Sequence, residues 1–406
     1  MRDRDLYAKI LNLPEPWAVI NVELDLKANS VTVSIGRTEG APLLCPECGQ
    51  RCPGYDTQPR RWRHLDTCQF QTILQADVPR CTCPDHGVKQ VRIPWAEPHS
   101  RFTALFERLA IDWMKECGRA ATARQLHLSW SEADGIMQRA VDRGLARRPR
   151  TLTPVLGVDE KSFQGREYVT VVCDLDAGTV LHIADGRGSD ALKECYQAMT
   201  PAQREAVAAV AMDMHQPYVL ATESALPQAT IVFDKFHIAK LASEAVDQVR
   251  RREAKQLAAD GDERLKGTRY GWLRNPLHES AEQRRAFKPL RNSNLRTARA
   301  WAIKETLMDL FRYSQRAAAH RFFQDWHGWA IRSRLTPIKR LARTLRGRLQ
   351  TLLNYCKWPI SNAMAEALNS KIQWIKYTAR GFRSREGYRR AIYFHCGGLS
   401  LHPQET

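Results

Sequence analysis

The chain has 406 residues, 43% of them hydrophobic, which is enough for about two to four domains with buried cores. Lysine and arginine outnumber aspartate and glutamate by 62 to 44, and the net charge of +18 favours a polyanionic partner such as nucleic acid. No apolar stretch reaches the roughly 18 residues that span a bilayer, and the charged segment Met1–Ile10 has no signal-peptide core. We therefore expect a cytoplasmic protein without membrane contact, whose cysteines are metal ligands or packing residues rather than disulfides.

The first hundred residues predict short strands around a cysteine-rich segment. Alternation of apolar and polar residues predicts strands over Ala18–Val22 and Val31–Ile35. Further on, the basic run Pro59–His64 carries one tryptophan and is interpreted either as a phosphate contact or as a solvated loop. Cys52 and Cys68 are expected to be packing residues, with Cys68 inside a strand.

Two pairs of potential metal ligands share one spacing. Cys45 and Cys48 are separated by two residues, so their thiolates can bind one ion, and the glycine that follows permits a tight turn. Cys83 and His86 repeat this spacing, again with a glycine in the next position. Three thiolates and one imidazole suit a closed tetrahedral site, so these four residues predict structural Zn²⁺, with Cys81 as the rival to Cys83.

A helical segment precedes a basic linker. Helical periodicity predicts one amphipathic helix over Phe102–Cys117 and a short second helix over Ala120–Leu126. After a turn, Ser129 is a good N-cap for a third helix, Trp130 to about Leu145, with Glu132 as its capping-box partner. Helix, short helix, turn and helix is the pattern of a DNA-binding helix-turn-helix, although small helical bundles without DNA function share it.

The composition changes after the basic segment Arg147–Arg150, which marks a boundary. Three strands, a helix, a strand, a helix and a strand are then predicted, which together make a mixed α/β sheet. The predicted strands are Val155–Val158, Tyr168–Cys173, Thr179–Ala184, Ala206–Met212 and Ala229–Phe233, and the predicted helices are Ser189–Met199 and Tyr218–Ala225. From Lys235 to about Leu353 we expect charged helix with its tryptophans in the core, and helix resumes over Asn362–Trp374.

Two carboxylates close apolar strands of this predicted sheet. Asp159 ends the first strand and Asp213 ends the fourth. If the two strands are neighbours, these like charges lie close together and need a cation, and hard oxygen ligands suit Mg²⁺ or Mn²⁺. Spacing alone leaves other acids near strand ends open as alternatives: Glu160, Asp174, Asp176 and Asp185.

A third ligand is expected from the helix that starts near Ser361. Glu366 and Asn369 fall on one helical face three residues apart, and Asn362 lies on the same face four residues before Glu366. A helix packed on the sheet could bring Glu366 to the two aspartates. Spacing by itself does not single out Glu366 among the many helical acids.

Together these motifs resemble the ISL-three (ISL3) family of bacterial insertion-sequence transposases. The resemblance extends over nearly the whole chain, because the motifs occur in the family's order and spacing. They are Cys45–Cys48 with Cys83–His86, Val91–Ala96, Gly157–Glu160, Met212–Met214, Phe233–His237, Ser361–Asn369 and Ala379–Arg383. One departure is His215 followed by Gln216, where an aromatic residue followed by a small residue or proline is commoner.

The resemblance implies three domains. N-terminal strands and a zinc ribbon occupy residues 1–99, and a helix-turn-helix with its basic linker occupies residues 100–150. An RNase H-like catalytic domain with a mixed α/β sheet follows over residues 151–406, with a helical insertion at about residues 245–355.

The resemblance also implies roles for individual residues. Asp159, Asp213 and Glu366 are the metal-binding acids. In the two-metal mechanism that we expect, Asp159 bridges both Mg²⁺ or Mn²⁺ ions, and Asp213 and Glu366 each favour one of them. Asp234 and His237 match an Asp-x-x-His signature that many such transposases share, and His237 is interpreted either as a phosphate contact or as a helix-starting histidine satisfied by Asp234. Further candidate contacts to phosphate or DNA are Asp234, Asn362 and Asn369.

The implied function is a transposase that binds terminal repeats, cleaves the element's ends and joins the freed 3′-hydroxyl to target DNA by two-metal-ion phosphoryl transfer. The implied partners are double-stranded DNA and, because two ends are joined, a homodimer or a larger synaptic complex. The implied location is the bacterial cytoplasm, in association with the nucleoid. Two alternatives stay open at this point: a DNA-binding regulator without catalysis, and an RNase H-like nuclease without strand transfer.

Overall fold

The computed structural model describes residues 3–274, 279–360 and 363–404. The chain divides into two compact units. The first comprises Met1–Arg148, Lys376–Gly381 and Arg390–Thr406, and the second comprises Pro149–Ile375 and Phe382–Arg389. The change of unit after Arg148 lies close to the boundary expected at residue 150, whereas the C-terminal segment, expected in the catalytic domain, groups with the first unit. The three-domain division itself stays a prediction.

The first unit begins with helix α1 (Asp3–Leu11) and a five-stranded sheet. The strands are β1 (Trp17–Asp25), β2 (Ser30–Arg37), β3 (Gly54–Arg63), β4 (Gln71–Cys83) and β5 (Gly87–Gln90). They lie in the order β1-β2-β4-β3, with β5 on β4; β2 and β4 run parallel and the other pairs antiparallel. Residue alternation places Val33, Leu74 and Val78 in the core at 0% exposure.

Two interpretations of this region are corrected by the structure. The basic run Pro59–His64 is mostly strand β3 rather than a loop, because Trp62 is buried and its ring meets Trp95 edge-to-face with centroids 5.3 Å apart. Cys68 is exposed and lies in a tight turn, where a φ of 56° is incompatible with a strand. Cys52 is buried, as predicted.

Three helices follow, α2 (Ala104–Cys117), α3 (Arg119–Gln125) and α4 (Trp130–Ala146). The hydroxyl of Ser129 accepts a hydrogen bond from the backbone N–H of Glu132, and the Glu132 carboxylate accepts one from the backbone N–H of Ser129. This is the predicted capping box, and the helix-turn-helix is confirmed. Phe394 and Leu401 from the C-terminal segment join the core of these helices, which explains why that segment groups with the first unit.

The second unit contains a five-stranded sheet with three early helices. In chain order its elements are β6 (Val155–Ser162), β7 (Tyr168–Asp174), β8 (Thr179–Asp185), α5 (Ser189–Gln197), α6 (Pro201–Glu205), β9 (Ala209–Met212), α7 (Gln216–Ala225) and β10 (Thr230–Phe233). The strand order is β10-β9-β6-β7-β8, an antiparallel meander of β6, β7 and β8 to which β9 and β10 add in parallel. The predicted RNase H-like sheet is confirmed.

Strand β9 begins at Ala209, three residues later than predicted. Helix α6 occupies the chain just before it, because Thr200 and Gln203 form a capping box and Pro201 stands in the first turn. The apolar run that suggested a longer strand therefore includes the end of this helix and a short connection.

The rest of the second unit is helical. Its helices are α8 (Lys235–Ala259), α9 (Arg269–Leu273), α10 (Ala281–Arg291), α11 (Arg296–Met308), α12 (Arg316–Arg332), α13 (Thr336–Arg346), α14 (Leu349–Leu352), α15 (Ala363–Thr378) and α16 (Arg385–Cys396), the last two extending into the first unit. Trp272 and Trp326 are buried in the core as expected, whereas Trp329 is 38% exposed. Among the described helices, none has the length and apolarity needed to cross a bilayer.

Candidate active site and zinc site

Three aspartates lie in a row across neighbouring parallel strands. The register that pairs Gly157 with Ala211, continued two residues along the chain, puts Asp159 of β6 level with Asp213, the residue after β9. The register between β9 and β10 likewise puts Asp234, the residue after β10, level with Asp213. Three carboxylates therefore reach the same edge of the sheet, where repulsion between them favours a bound cation.

These carboxylates line a small cleft of about 30 Å³ between the sheet and α15. The lining residues of the sheet and of the start of α8 are Gly157, Val158, Asp159, Val171, Cys173, Leu175, Ala211, Met212, Asp213, Asp234 and His237, and those of α15 are Ala365, Leu368, Asn369 and Ile372. Four of the predicted site residues on the sheet side and Asn369 on the helix side are thus brought together.

Asp159 is held by three hydrogen bonds. Its Oδ1 accepts from the backbone N–H of Glu160 at 2.7 Å. Its Oδ2 accepts from the Lys161 ammonium at 2.6 Å and from the side-chain amide of Asn369 at 2.8 Å. The Lys161 side chain is 8% exposed and that of Asp159 is 27% exposed, so the carboxylate is fixed in orientation while one side of it still reaches the cleft.

His237 lies between the other two acids. Its Nδ1 is 3.8 Å from Oδ2 of Asp213, and its Nε2 is 3.8 Å from Oδ2 of Asp234. Asp213 accepts a hydrogen bond from the backbone N–H of His215 at 3.0 Å, while Asp234 caps α8 by accepting from the backbone N–H of Phe236 at 2.7 Å. Asp234 therefore has a structural role as an N-cap in addition to its place in the cleft.

Glu366 is not among the residues that line the cleft. It is exposed in the first turn of α15, one turn before Asn369. Successive helical residues are about 100° apart, so Glu366 is about 60° from Asn369, on the side of the helix away from the other residues that line the cleft. The third predicted acid is thus near the site in the helix but is not brought to the two aspartates. Asn362 lies outside the described residues.

The rival acids have other partners. Asp174 accepts hydrogen bonds from Thr153 and from the backbone of the turn after β7. Asp185 lies 3.6 Å from Arg385, and Glu160 lies 4.0 Å from Arg187. These contacts give three of the four alternatives a structural explanation.

Sequence reasoning did not single out Lys161 or Gly157. Lys161 shares a strand face with Asp159 two residues earlier, and that alternation was the signal available. A Cβ atom on Gly157 would lie 2.7 Å from Cδ2 of Leu175 and 2.8 Å from Sγ of Cys173, so only glycine fits there. Burial raises the pKa of Cys173 to about 12, which keeps this thiol of the cleft protonated and unsuited to bind metal.

A second cluster lies in the first unit. The ligand atoms of Cys45, Cys48, Cys83 and His86 all lie within 4.8 Å of one another. The Cys48 and Cys83 sulfurs are 3.7 Å apart, and the Cys83 sulfur is 3.4 Å from Nδ1 of His86. Bonds of about 2.3 Å to sulfur and 2.0 Å to nitrogen give tetrahedron edges of roughly this size. The predicted ligand set therefore fits Zn²⁺.

The surroundings of this cluster also suit a metal. His86 directs Nδ1 at the sulfurs, while its Nε2 lies 3.8 Å from the Glu47 carboxylate, which can orient the ring. The hydrogen bond with His86 lowers the pKa of the Cys83 thiol to about 6, so the thiolate forms readily. Cys81 is fully buried and is not part of the cluster.

Three protein-family models match the chain. The transposase model of the ISL3 family matches residues 156–392, which is more than half of the chain. The chain belongs to the ISL3 transposase family. Residues 41–86 of this family member match the zinc-finger model of the transposases of IS204, IS1001, IS1096 and IS1165. Residues 91–141 match the helix-turn-helix model of the ISL3 family. The resemblance stated from the sequence is confirmed.

Two relatives are similar to this chain along most of their length. The transposase for insertion sequence element IS1001 of Bordetella parapertussis is 29% identical, over 85% of this chain and 86% of its own. The transposase for insertion sequence element IS1557 of Mycobacterium tuberculosis (strain ATCC 25618 / H37Rv) is 25% identical, over 95% of this chain and 93% of its own. The similarity therefore spans the zinc ribbon, the helix-turn-helix and the RNase H-like sheet of this ISL3 transposase.

Proposed function

We propose that this ISL3 transposase cleaves the ends of its insertion sequence and joins them to target DNA, with Asp159, Asp213 and Glu366 as its metal-binding acids. The observation that carries the proposal is that Asp159 in β6 and Asp213 just after the neighbouring parallel strand β9 line one cleft. Glu366 is proposed from the family motif and from its place one turn before Asn369 in the helix that covers the cleft.

The carboxylates of this site are proposed to hold two Mg²⁺ or Mn²⁺ ions. Carboxylate oxygens are the hard ligands that these ions prefer, and the pair of aspartates needs positive charge that Lys161 supplies only to Asp159. When bound, the ions would activate the attacking water or 3′-hydroxyl and stabilise the leaving oxygen of an in-line displacement.

The chain's own residues prepare the site for that chemistry. Asn369 and Lys161 fix the Asp159 carboxylate, so its free lone pairs point in one direction. His237 lies 3.8 Å from both Asp213 and Asp234, beyond hydrogen-bond distance, so a ring N–H can donate a hydrogen bond to a phosphate oxygen of the bound DNA. The leaving oxygen takes up a proton from solvent, and no covalent bond between enzyme and DNA is needed.

DNA recognition is proposed for the first unit. A helix-turn-helix places its last helix in the major groove, which assigns α4 to the terminal repeats. The zinc ribbon is proposed to bind structural Zn²⁺ through Cys45, Cys48, Cys83 and His86. Because transposition joins two ends, we propose that the enzyme acts as a homodimer or a larger synaptic complex.

The test uses a supercoiled plasmid that carries both terminal repeats, incubated with the protein and Mg²⁺ or Mn²⁺. Asp159→Asn is expected to abolish cleavage and strand transfer while binding of the repeats in a gel-shift assay is unchanged. The matched control is Asp176→Asn, because Asp176 is an exposed acid in the turn after β7, outside the cleft.

Each alternative has its own outcome. Wild-type protein that binds the repeats without nicking them would be a regulator. Nicking without end joining would indicate a nuclease. Strand transfer retained by Asp159→Asn would refute the assignment of the acids.

A further inference from the structure

Helix α13 separates charge from apolar surface almost completely. Ile338, Leu341, Ala342 and Leu345 are buried on one side. At 100° per residue, the four cations of the helix fall on the opposite side within a sector of roughly 120°. They are Lys339, Arg340, Arg343 and Arg346, of which all but the half-buried Lys339 are exposed. We call these four residues the basic face of α13.

The basic face has no acidic neighbours along the chain. Residues 326–365 contain eight lysines and arginines and no aspartate or glutamate. Among the described residues, no carboxylate makes an ion pair with Lys339, Arg340, Arg343 or Arg346. In α8, by contrast, Arg250 and Arg251 both pair with Asp247, at 2.8 and 3.1 Å. The charge of the basic face is therefore available to a ligand.

The basic face continues toward the cleft. Just after α13, the guanidinium of Arg348 lies over the ring of Phe233, 5.8 Å from its centroid. Phe233 is the last residue of β10, and the next residue, Asp234, lines the cleft. Asn354 fixes the same region by donating a hydrogen bond of 2.8 Å to the carbonyl oxygen of Ile231 in β10. One cation beyond the basic face, Arg348, thus packs against the strand that leads to Asp234, one of the cleft's acids.

We propose that the basic face of α13 binds the phosphate backbone of the duplex DNA whose scissile bond enters the cleft. The proposal rests on the proposed transposase function, which supplies the polyanion. Arginines without carboxylate partners match phosphates, and the position of Arg348 beside β10 favours the DNA substrate over an acidic protein segment. Contacts of this kind hold the duplex in place and carry no sequence information.

The test is the salt dependence of DNA binding by the full-length protein. The triple variant Arg340→Gln, Arg343→Gln and Arg346→Gln is compared with wild type on a terminal-repeat duplex and on an unrelated duplex. Each lost phosphate contact lowers the slope of log affinity against log salt by about 0.9, so we expect a decrease of roughly 2 to 3 on both duplexes. Cleavage of the repeats should fall in parallel at moderate salt.

The matched control removes three exposed arginines elsewhere in the helical insertion: Arg284→Gln, Arg285→Gln and Arg312→Gln. For this control variant, the slope of log affinity against log salt should change by less than about 0.45, half of what one phosphate contact contributes. The proposal would be overturned if the two triple variants had equal effects, or if the slope of the α13 variant were unchanged. An unchanged slope together with a loss of cleavage would point to a protein partner of the basic face instead. Failure of the wild type to cleave the repeats would instead count against the proposed function. An unaltered circular dichroism spectrum shows that each triple variant is folded.

Discussion

The side-chain amide of Asn369 donates a hydrogen bond of 2.8 Å to Oδ2 of Asp159, and this contact joins α15 to β6 across 210 positions of sequence. The same oxygen accepts a hydrogen bond from Lys161. A carboxylate held by two donors has few alternative orientations, and residues that orient metal ligands affect metal affinity and activity strongly.

We expect Asn369→Ala to lower the rate of end cleavage by roughly 10- to 100-fold, the range usual for residues that orient metal ligands. Binding of terminal repeats should not change, because the helix-turn-helix is in the other unit. The measurement is single-turnover cleavage over a series of Mn²⁺ concentrations, since a lost orienting contact also raises the Mn²⁺ concentration needed for half-maximal rate. Ser370→Ala, in the next and exposed position of α15, is the control. Wild-type cleavage by Asn369→Ala would show that the contact is not used.

The zinc site gives a prediction that separates two cysteines. Cys83→Ala should lose bound zinc and lower the thermal stability of the first unit, because structural zinc contributes about 10 kcal/mol or more in small zinc-binding domains. Cys81→Ala should keep one zinc per chain, since Cys81 is buried beside the cluster rather than in it. Zinc content by elemental analysis after dialysis against a weak chelator is the measurement. Loss of zinc from both variants would mean that Cys81 supports the site directly.

Local patterns predicted the parts of the site that depend on few residues. An apolar strand that ends in a carboxylate is visible in the sequence, and so is the two-residue spacing of the zinc ligands. The pairing of β6 with β9 depends on contacts between residues about 50 positions apart, so it could be expected only from the fold class. The family motif, not spacing, selected Glu366, and the structure leaves this residue beside the cleft.

The missed elements have physical reasons of the same kind. β3 carries arginines and other polar residues because much of this strand is exposed, so hydrophobic alternation is weak there. Cys81 and Cys83 are two residues apart in β4, so their side chains point to the same side of the sheet. Strand alternation therefore could not show which of the two cysteines is the zinc ligand. The choice follows from position, because Cys83 is at the strand end beside the turn that carries His86.

His64 predicts a pH dependence of stability in the first unit. Its ring is buried, its Nδ1 is 2.9 Å from the hydroxyl of Thr103, and burial lowers its pKa from 6.5 to about 4, with a smaller contribution from Arg63. The unfolded chain therefore binds a proton at higher pH than the folded chain, so stability is full above pH 6.5 and falls as the pH drops toward 4. At about 1.4 kcal/mol per pH unit, the loss amounts to roughly 3 kcal/mol.

Thermal unfolding of the wild type and of His64→Gln between pH 7.5 and 4.5 tests this prediction. The variant should lose less stability on acidification, because glutamine does not titrate. His127→Asn is the control, since His127 is exposed and asparagine tolerates its positive φ. If the stability of wild type and of His64→Gln fell in parallel with pH, His64 would not be the titrating group. Loss of zinc at low pH affects all three proteins alike, so it does not produce a difference between them.

The helix-turn-helix depends on a buried carboxylate. Glu107 of α2 is 1% exposed and accepts hydrogen bonds from Ser100 at 2.8 Å, from Arg139 at 2.8 Å and from Arg143 at 3.0 Å. Both arginines belong to α4, the proposed recognition helix. Glu107→Gln keeps the shape but leaves the buried arginine charge with less compensation, and breaking a buried ion pair costs about 3 to 5 kcal/mol.

We therefore expect Glu107→Gln to lower the unfolding midpoint of the first unit and to weaken repeat binding, while the sheet of the second unit keeps its hydrogen-exchange protection. Arg143 retains its pairing with Glu97, so the loss should lie at the lower end of that range. The control, Glu116→Gln on the exposed side of α2, should change stability by less than about 0.5 kcal/mol. If the two variants were equally stable, the arginines of α4 would be held by Glu97 and by packing alone, and Glu107 would not be what positions the recognition helix.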